Sequence, residues 1–329
     1  MMSRFTLGGL IVTGALALMM APARSATFDV AIFHTERDAF ADNYKFWSAE
    51  VEKRTQGRVQ FKAHYSGALT SIVETLGAVR RGVVPVGLTA ASFSAGAVPA
   101  LAYLEVIGGM PNDADGARKV IDAIEPTMRT LLGQAGVEYL WMQPGFDVIV
   151  VCRDKHLKGP ADWAGQKVRA AGRWQSAQVA AMGASPIAID PGEQYLALQN
   201  KTVDCALSIP NLAQSLKLSE VAPKITRLRQ PVNPSMYIMN PQSWRQLLTA
   251  DQQIVSEVSR ETNHRAITYL QDYMAGALRA MTGTGAEVYS LSDAELKVTK
   301  ERMQSVFDKI GEASGEAGKT VVSYLKPYW

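Results

Sequence analysis

The segment Trp163–Ala206, WAGQKVRAAGRWQSAQVAAMGASPIAIDPGEQYLALQNKTVDCA, decides how this chain is read. It opens on a short strand, KVRAA, and passes through a glycine-bearing turn into a helix. A second strand (PIAI), a second helix (GEQYLALQ) and a third strand (VDCAL) follow. Strand–helix alternation of this kind specifies an α/β fold. Arg169, inside the first strand, keeps its charge in a protein and presents a planar fork of donors suited to a carboxylate. No catalytic signature interrupts the run. An arginine at a sheet edge with no nucleophile or base beside it is suited to holding an anion, not to transforming one.

Upstream, FDVAIF is a strand ending at His34, and Asp38–Arg54 carries Phe40, Tyr44, Trp47 and Val51 at helical spacing before a TQGR stop. VQFKAHY alternates as a strand, Ile72–Val79 repeats the helical spacing, and VVPVGLTAA is the next apolar strand. Asp115–Leu132 is an amphipathic helix in which Pro126 predicts a kink or break. VEYLWMQ and FDVIVVC are strands divided by Pro144-Gly145, a first candidate crossing between lobes. SMYIMN (Ser235–Asn240), after the loop QPVNP, is the second. Asp251–Met281 is long enough to span both lobes, and a last helix fills Ser292–Gly311. Two crossings by extended chain predict two α/β lobes hinged about strands with a ligand between them. The expected boundaries are residues 26–145 with 236–272 for the first lobe, and 146–235 with 273–329 for the second.

The 329 residues, 47% hydrophobic with a net charge of +3, describe a folded globular protein. No run of Lys and Arg interleaved with aromatics appears, so nucleic acid is set aside as a partner. Residues 1–25 read as a cleaved secretion signal: Arg4, the apolar stretch Phe5–Met20, and Ala23-x-Ser25 before Ala26. A periplasmic location is therefore expected, and no cysteine near that point suggests a lipid anchor. Cys152 and Cys205 read as small buried core residues; their pairing is left open, because sequence cannot show whether they are close enough.

The motifs DWAGQKVRAAG, AMGASP, EQYLALQ and KTVDCA resemble, in order and spacing, the blocks "DLKGlKiR", "alGAsP", "EvYtALq" and "GvvDG" of the solute-binding proteins of TRAP transporters, the tripartite ATP-independent periplasmic family first met as four-carbon dicarboxylate carriers. The likeness continues through LKLSEVAPKIT and backwards through TQGRVQFKAHYSGAL and VRRGVVPVGLTAASF, and so covers nearly the whole mature chain. It implies a two-lobed periplasmic binding protein fold with hinge strands and a long helix spanning both lobes. It also implies an organic acid ligand, the small and large TRAP membrane subunits as partners, no cofactor, no metal and no catalysis. A monomer is the expected state.

By the same resemblance Arg169 is the arginine that pairs with the substrate carboxylate. Two positions depart from the pattern. Many members carry a second arginine in "GfR", where this chain has Gly145-Phe146-Asp147. An acid there repels a second carboxylate, so Asp147 either meets an ammonium or hydroxyl of the ligand or pairs with a nearby arginine such as Arg173. "qeNP" is replaced by Ala206-Leu207-Ser208-Ile209, leaving the shorter Ser208 hydroxyl and hinting at a less polar solute or a bulkier tail. Trp174, Phe146, Phe93 and Tyr237 are candidates for stacking on an apolar or aromatic tail, against the alternative of core packing. His34 and Glu74 complete the set from the first lobe. Glu193, Tyr195 and Asp204 read as structural.

The four histidines are scattered, and no H-E-x-x-H, C-x-x-C, G-x-S-x-G or dinucleotide pattern appears. The nearest rival reading is the binding protein of an ATP-driven importer for amino acids or organic acids. A two-lobed periplasmic enzyme is the remote one.

Overall fold

The computed structural model describes residues 25–111, 113–229 and 234–328. The leader expected over 1–25 lies outside them but for its last residue. Eleven strands among these residues form two sheets: β1 Ala26–Ala31, β2 Val59–His64, β3 Val86–Ala90, β4 Glu138–Gln143, β5 Ile149–Cys152, β6 Lys167–Ala170, β7 Ser185–Ala188, β8 Cys205–Ser208, β9 Lys224–Arg227, β10 Ser235–Met239 and β11 Glu287–Ser290.

The first sheet has the order β2-β1-β3-β10-β4 and the second β11-β9-β5-β8-β6-β7. In each, parallel pairs surround one strand that runs the other way. β10 is antiparallel to β3 and β4, and β5 is antiparallel to β8 and β9. These two strands arrive from the opposite sheet by chain order, one after Pro144-Gly145 and one after β9. Both expected crossings are therefore real, and each buries its strand in the middle of the sheet it enters.

The first lobe closes on an aromatic core. Trp47 on the helix Ala39–Arg54 lies against Trp141 of β4 and Tyr237 of β10, and the last two stack at 4.4 Å between ring centroids. The Trp47 indole donates to Ser259 Oγ at 3.1 Å, which satisfies its one polar atom inside the core. The second lobe is built on aliphatic side chains: Ile149, Val151, Leu198, Val203, Leu218 and Ile225. Cys152 and Cys205 face each other across the β5–β8 pair and are bonded as a disulfide. They are buried core residues as read, and the pairing left open by sequence is supplied by register.

The helix Thr249–Gly283 runs for 35 residues and packs on the helix Ala39–Arg54 and β4 of one lobe, and on the helix Pro210–Ser215 and β11 of the other. The helix Ala114–Gln134 is continuous through Pro126, where a kink or break was expected. The last helix reaches from Asp293 to Leu325, well past the expected end, interrupted at Gly315 by a left-handed backbone. It packs on the 3-10 turn Pro99–Leu104, the helix Ala114–Gln134 and the helix Arg173–Ala181. Elements from both sides of the first crossing thus hold it, although the expected boundary places 273–329 with the second lobe.

Candidate ligand-binding site

The loops after β1, β3, β6 and β8 converge between the two sheets. Ligands of open α/β sheets bind where strands end at their carboxyl termini. Here the converging loops enclose an inner chamber of about 50 Å³, lined by His34, Phe93, Val148, Arg169, Ser208 and Ser235 among others. An outer chamber of about 360 Å³ shares Phe33, His34, Ile72 and Leu212 with it and adds Asp38, Ser66 and Asp190.

Arg169 is the penultimate residue of β6, which lies between β8 and β7 and not on an edge strand as the sequence suggested. The side chain is only 3% exposed. Its Nε donates to the Ile189 carbonyl at 2.8 Å and its Nη1 to the Leu207 carbonyl at 2.9 Å. The two bonds aim the fork into the chamber, and Nη2 is buried with no hydrogen-bond partner among the described residues. Burial pulls the guanidinium down to about 10, with the charge of Asp190 opposing. The group remains a cation at neutral pH, desolvated and short of one acceptor. Ser208 Oγ, on the adjacent strand β8, is likewise buried without a partner among the described residues.

Gln175 supports this wall from behind. Its Oε1 accepts from the Ala171 amide at 2.9 Å, and its Nε2 donates to Glu105 Oε2 at 3.3 Å. Burial pushes the Glu105 carboxyl up to about 8, and the Gln175 bond only partly offsets that. From the first lobe, His34 stacks on Phe40 with 4.6 Å between ring centroids and sets Nδ1 3.6 Å from Asp38 Oδ2. Asp38 caps the helix Ala39–Arg54 by accepting from the Phe40 amide at 2.9 Å. It also accepts from Asn211 Nδ2 of the second lobe, at 3.2 Å to each oxygen. Burial raises the Asp38 carboxyl, but His34, the Phe40 amide and Asn211 together hold it below the ordinary carboxylate value. The two lobes are therefore joined across the mouth of the cleft.

Four of the nine expected residues (Arg169, Ser208, Phe93 and His34) come together on this one chamber. Five do not. Asp147 and Phe146 line a separate cavity of about 310 Å³ behind the crossing, with Arg227, Arg229, Gln271 and Met274. Asp147 pairs with Arg227, at 2.6 Å from Oδ2 to both Nε and Nη2, and not with Arg173, which lies over the Trp174 ring instead. The cause is local: Asp147 has φ +66°, a left-handed turn that aspartate tolerates better than most residues. It sends Asp147 to the back and leaves Val148 on the chamber wall. Trp174 is 2% exposed and donates to the Ala95 carbonyl at 3.3 Å, packing the lobes together outside the chamber lining. Tyr237 is fully buried in the aromatic core, because alternation on β10 turns it towards Trp141 and Trp47. Glu74 is exposed at the start of the helix Thr75–Arg80, while its neighbour Ile72 takes the place at the cleft.

Sequence reading missed Val148, Gln175, Ser235, Asn211 and the apolar set Phe33, Ile72, Leu207 and Ile209. The one signal available was position at the ends of β1, β5 and β8. Among the described residues, no cluster of His, Cys, Asp and Glu is placed to hold a metal ion.

The profile of the bacterial extracellular solute-binding proteins, family 7, matches residues 30–314. The ectoine-binding periplasmic protein TeaA of Halomonas elongata is 24% identical over 296 residues, covering 88% of this chain and 85% of that protein. Two solved structures share the fold. One is a TRAP periplasmic solute-binding protein of Desulfovibrio salexigens with bound orotic acid, with a TM-score of 0.86, 22% identity, and coverage of 92% of this chain and 98% of that one. The other is an extracytoplasmic solute receptor of Bordetella pertussis binding pyroglutamic acid, with a TM-score of 0.84, 17% identity, and coverage of 92% and 100%. The chain belongs to family 7 of the bacterial extracellular solute-binding proteins, the TRAP receptor family whose motifs it carries.

Proposed function

We propose that this protein is a periplasmic receptor that captures a compact monocarboxylate between its lobes and hands it to the small and large membrane subunits of a TRAP transporter. The observation that carries the reading is the Arg169 fork, with Nη2 buried, on the chamber wall and without an acceptor among the described residues. A solute carboxylate supplies that acceptor, and Ser208 Oγ stands on the adjoining strand to add a second bond. Charge-assisted bonds of this type are strongest where water is excluded.

Most of the remaining wall is apolar, with Phe33, Ile72, Phe93, Val148, Leu207 and Ile209 beside the polar His34, Gln175 and Ser235. Among the described residues Arg169 is the one Lys or Arg on it, so a four-carbon dicarboxylate would bury its second charge without a second cation to meet it. Orotic and pyroglutamic acid, bound by two relatives, are each compact ring acids with one carboxyl group. In this reading the secretion signal is cleaved, the mature protein acts as a monomer, and no chemistry is done on the solute. Closure brings Asp38 to Asn211, and the closed form is what the membrane subunits recognise.

Titration calorimetry with the mature protein tests this against a panel of monocarboxylates including orotate and pyroglutamate, their uncharged amides, and succinate and malate. The expected result is saturable binding of one or more monocarboxylates, no binding of the amides, and loss of binding in Arg169→Ala. An amide bound as tightly as its acid, or full affinity in the variant, would remove the carboxylate anchor.

A further inference from the structure

The chamber holds a second unsatisfied polar edge, on the lobe opposite Arg169. His34 is 5% exposed, lines both chambers, and neither ring nitrogen has a hydrogen-bond partner among the described residues. The ring cannot swing freely, because it stacks on Phe40 at an interplanar angle of 6° and has Phe33 4.8 Å away on another side. That pose sets its two nitrogens in different surroundings. Nδ1 is 3.6 Å from Asp38 Oδ2, whereas Nε2 is buried with no carboxylate recorded beside it among the described residues.

Asp38 is itself fixed: the Phe40 amide and the Asn211 side chain both donate to it, so its oxygens are held as acceptors and cannot turn away. A carboxylate at this distance attracts positive charge to the near nitrogen and so favours the tautomer with the proton on Nδ1. The lone pair then sits on Nε2.

We propose that His34, held by Asp38 with its proton on Nδ1, accepts a hydrogen bond through Nε2 from an N–H or O–H group of the bound acid. The solute class is thereby narrowed to compact carboxylates that carry a hydrogen-bond donor on the side facing the first lobe, such as a lactam, a ring N–H or a hydroxy acid. This rests on the Arg169 reading above and adds a second, independent demand. A donor-free acid would leave Nε2 buried without a partner, and a site built to pair a polar group rejects the analogue lacking it. The same bond would also favour closure, since the Asp38 that orients His34 is the residue that Asn211 grips from the other lobe.

The probes are isosteric pairs differing only in the donor. Pyroglutamate is set against the lactone 5-oxotetrahydrofuran-2-carboxylate, and 2-hydroxy-3-methylbutanoate against 2-fluoro-3-methylbutanoate. Wild-type protein should bind the donor-bearing member of at least one pair roughly 30-fold or more tightly. His34→Phe keeps the stack on Phe40 and should bring the ratio within about threefold while still binding the donor-free acid. Asp38→Asn keeps an acceptor for the helix cap but frees the tautomer, and should reduce the ratio without abolishing binding. Melting curves of both variants report whether they fold. Equal affinity within every pair, an unchanged ratio in folded His34→Phe, or no binding of any of the four acids would overturn the assignment. Arg169→Ala measured on the same probes separates the two readings. Arg169-dependent binding without donor preference removes this inference and leaves the carboxylate anchor standing.

Discussion

Two cavities flank the segment 144–148, each has an arginine in its wall, and only one has the character of a binding site. In the inner chamber, Arg169 spends two donors on backbone carbonyls and leaves Nη2 buried with no acceptor among the described residues. In the cavity behind the crossing, Arg227 is matched by Asp147, and Arg229 by Asp293 at 2.6 Å. The rear cavity, about 310 Å³, is larger than the inner chamber of about 50 Å³ but not than the outer chamber of about 360 Å³ that adjoins it, and it holds more charge than the inner one. The difference between them is that the front arginine, on a chamber wall, has a buried donor without an acceptor among the described residues, while the rear arginines are matched. The rear cluster instead ties β9 to the residue entering β5, which is where the chain bends between lobes.

The largest effect should separate the arginines. Arg169→Ala is expected to weaken solute binding by about a thousandfold, the cost of removing one partner of a buried charge pair. Arg227→Ala should stay within about threefold of wild type by calorimetry. Comparable losses would break the distinction.

Next comes the contact of the lobes beside the chamber. Gly172 has extended backbone that any residue adopts, but a Cβ there would lie 2.5 Å from the Ser92 carbonyl oxygen of the first lobe. Gly172→Ala should block full closure and weaken binding by tenfold or more. Small-angle scattering should then find no compaction on adding solute. Normal compaction would mean that the lobes do not meet there when closed.

Adjacent positions 147 and 148 offer the sharpest version. Asp147→Arg sets two cations together at the bend and should cost about 1–2 kcal/mol, seen as a lower Tm, with no gain of succinate binding. Val148→Arg places the cation on the chamber wall and should bring succinate binding. Succinate binding by the first variant would return residue 147 to the cleft.

The smallest effect concerns pH. Burial holds the Asp147 carboxyl above its ordinary range, with Arg227 pulling it down. The folded protein then keeps a proton that the unfolded chain has released, so this group's contribution to stability falls as pH rises through that range. Asp147→Asn should remove a slope of under about 1 kcal/mol in urea unfolding between pH 4 and 7, while solute affinity is unchanged. A slope of opposite sign would mean that the ion pair outweighs burial.

Much of the fold was legible because it rests on local pattern. Period-2 and period-3.6 spacing located the strands and the long helices, and the apolar runs after Pro144-Gly145 and before Asn240 located the crossings. Pro126 does not break its helix, because tertiary packing carries the helix through a proline that would break an isolated one. Within the site, Arg169, Ser208, Phe93 and His34 lie at or just past strand ends, where position along the chain implies position at the cleft. Asp147 and Tyr237 failed for the complementary reason: adjacency in sequence says nothing about which side a residue faces when one backbone angle or one step of alternation reverses it.

The sequence by itself determined the α/β class, the two crossings, the family and the arginine proposed to anchor the ligand, since each is written in residue type and spacing within a few tens of positions. Tertiary structure alone decided that Cys152 meets Cys205, that Asp147 serves the bend and Val148 the chamber, and that Asp38 links His34 to Asn211, 173 residues away from Asp38. Those outcomes depend on strand register, on the sign of a single φ, and on the approach of the two lobes, none of which is encoded in a local run of residues.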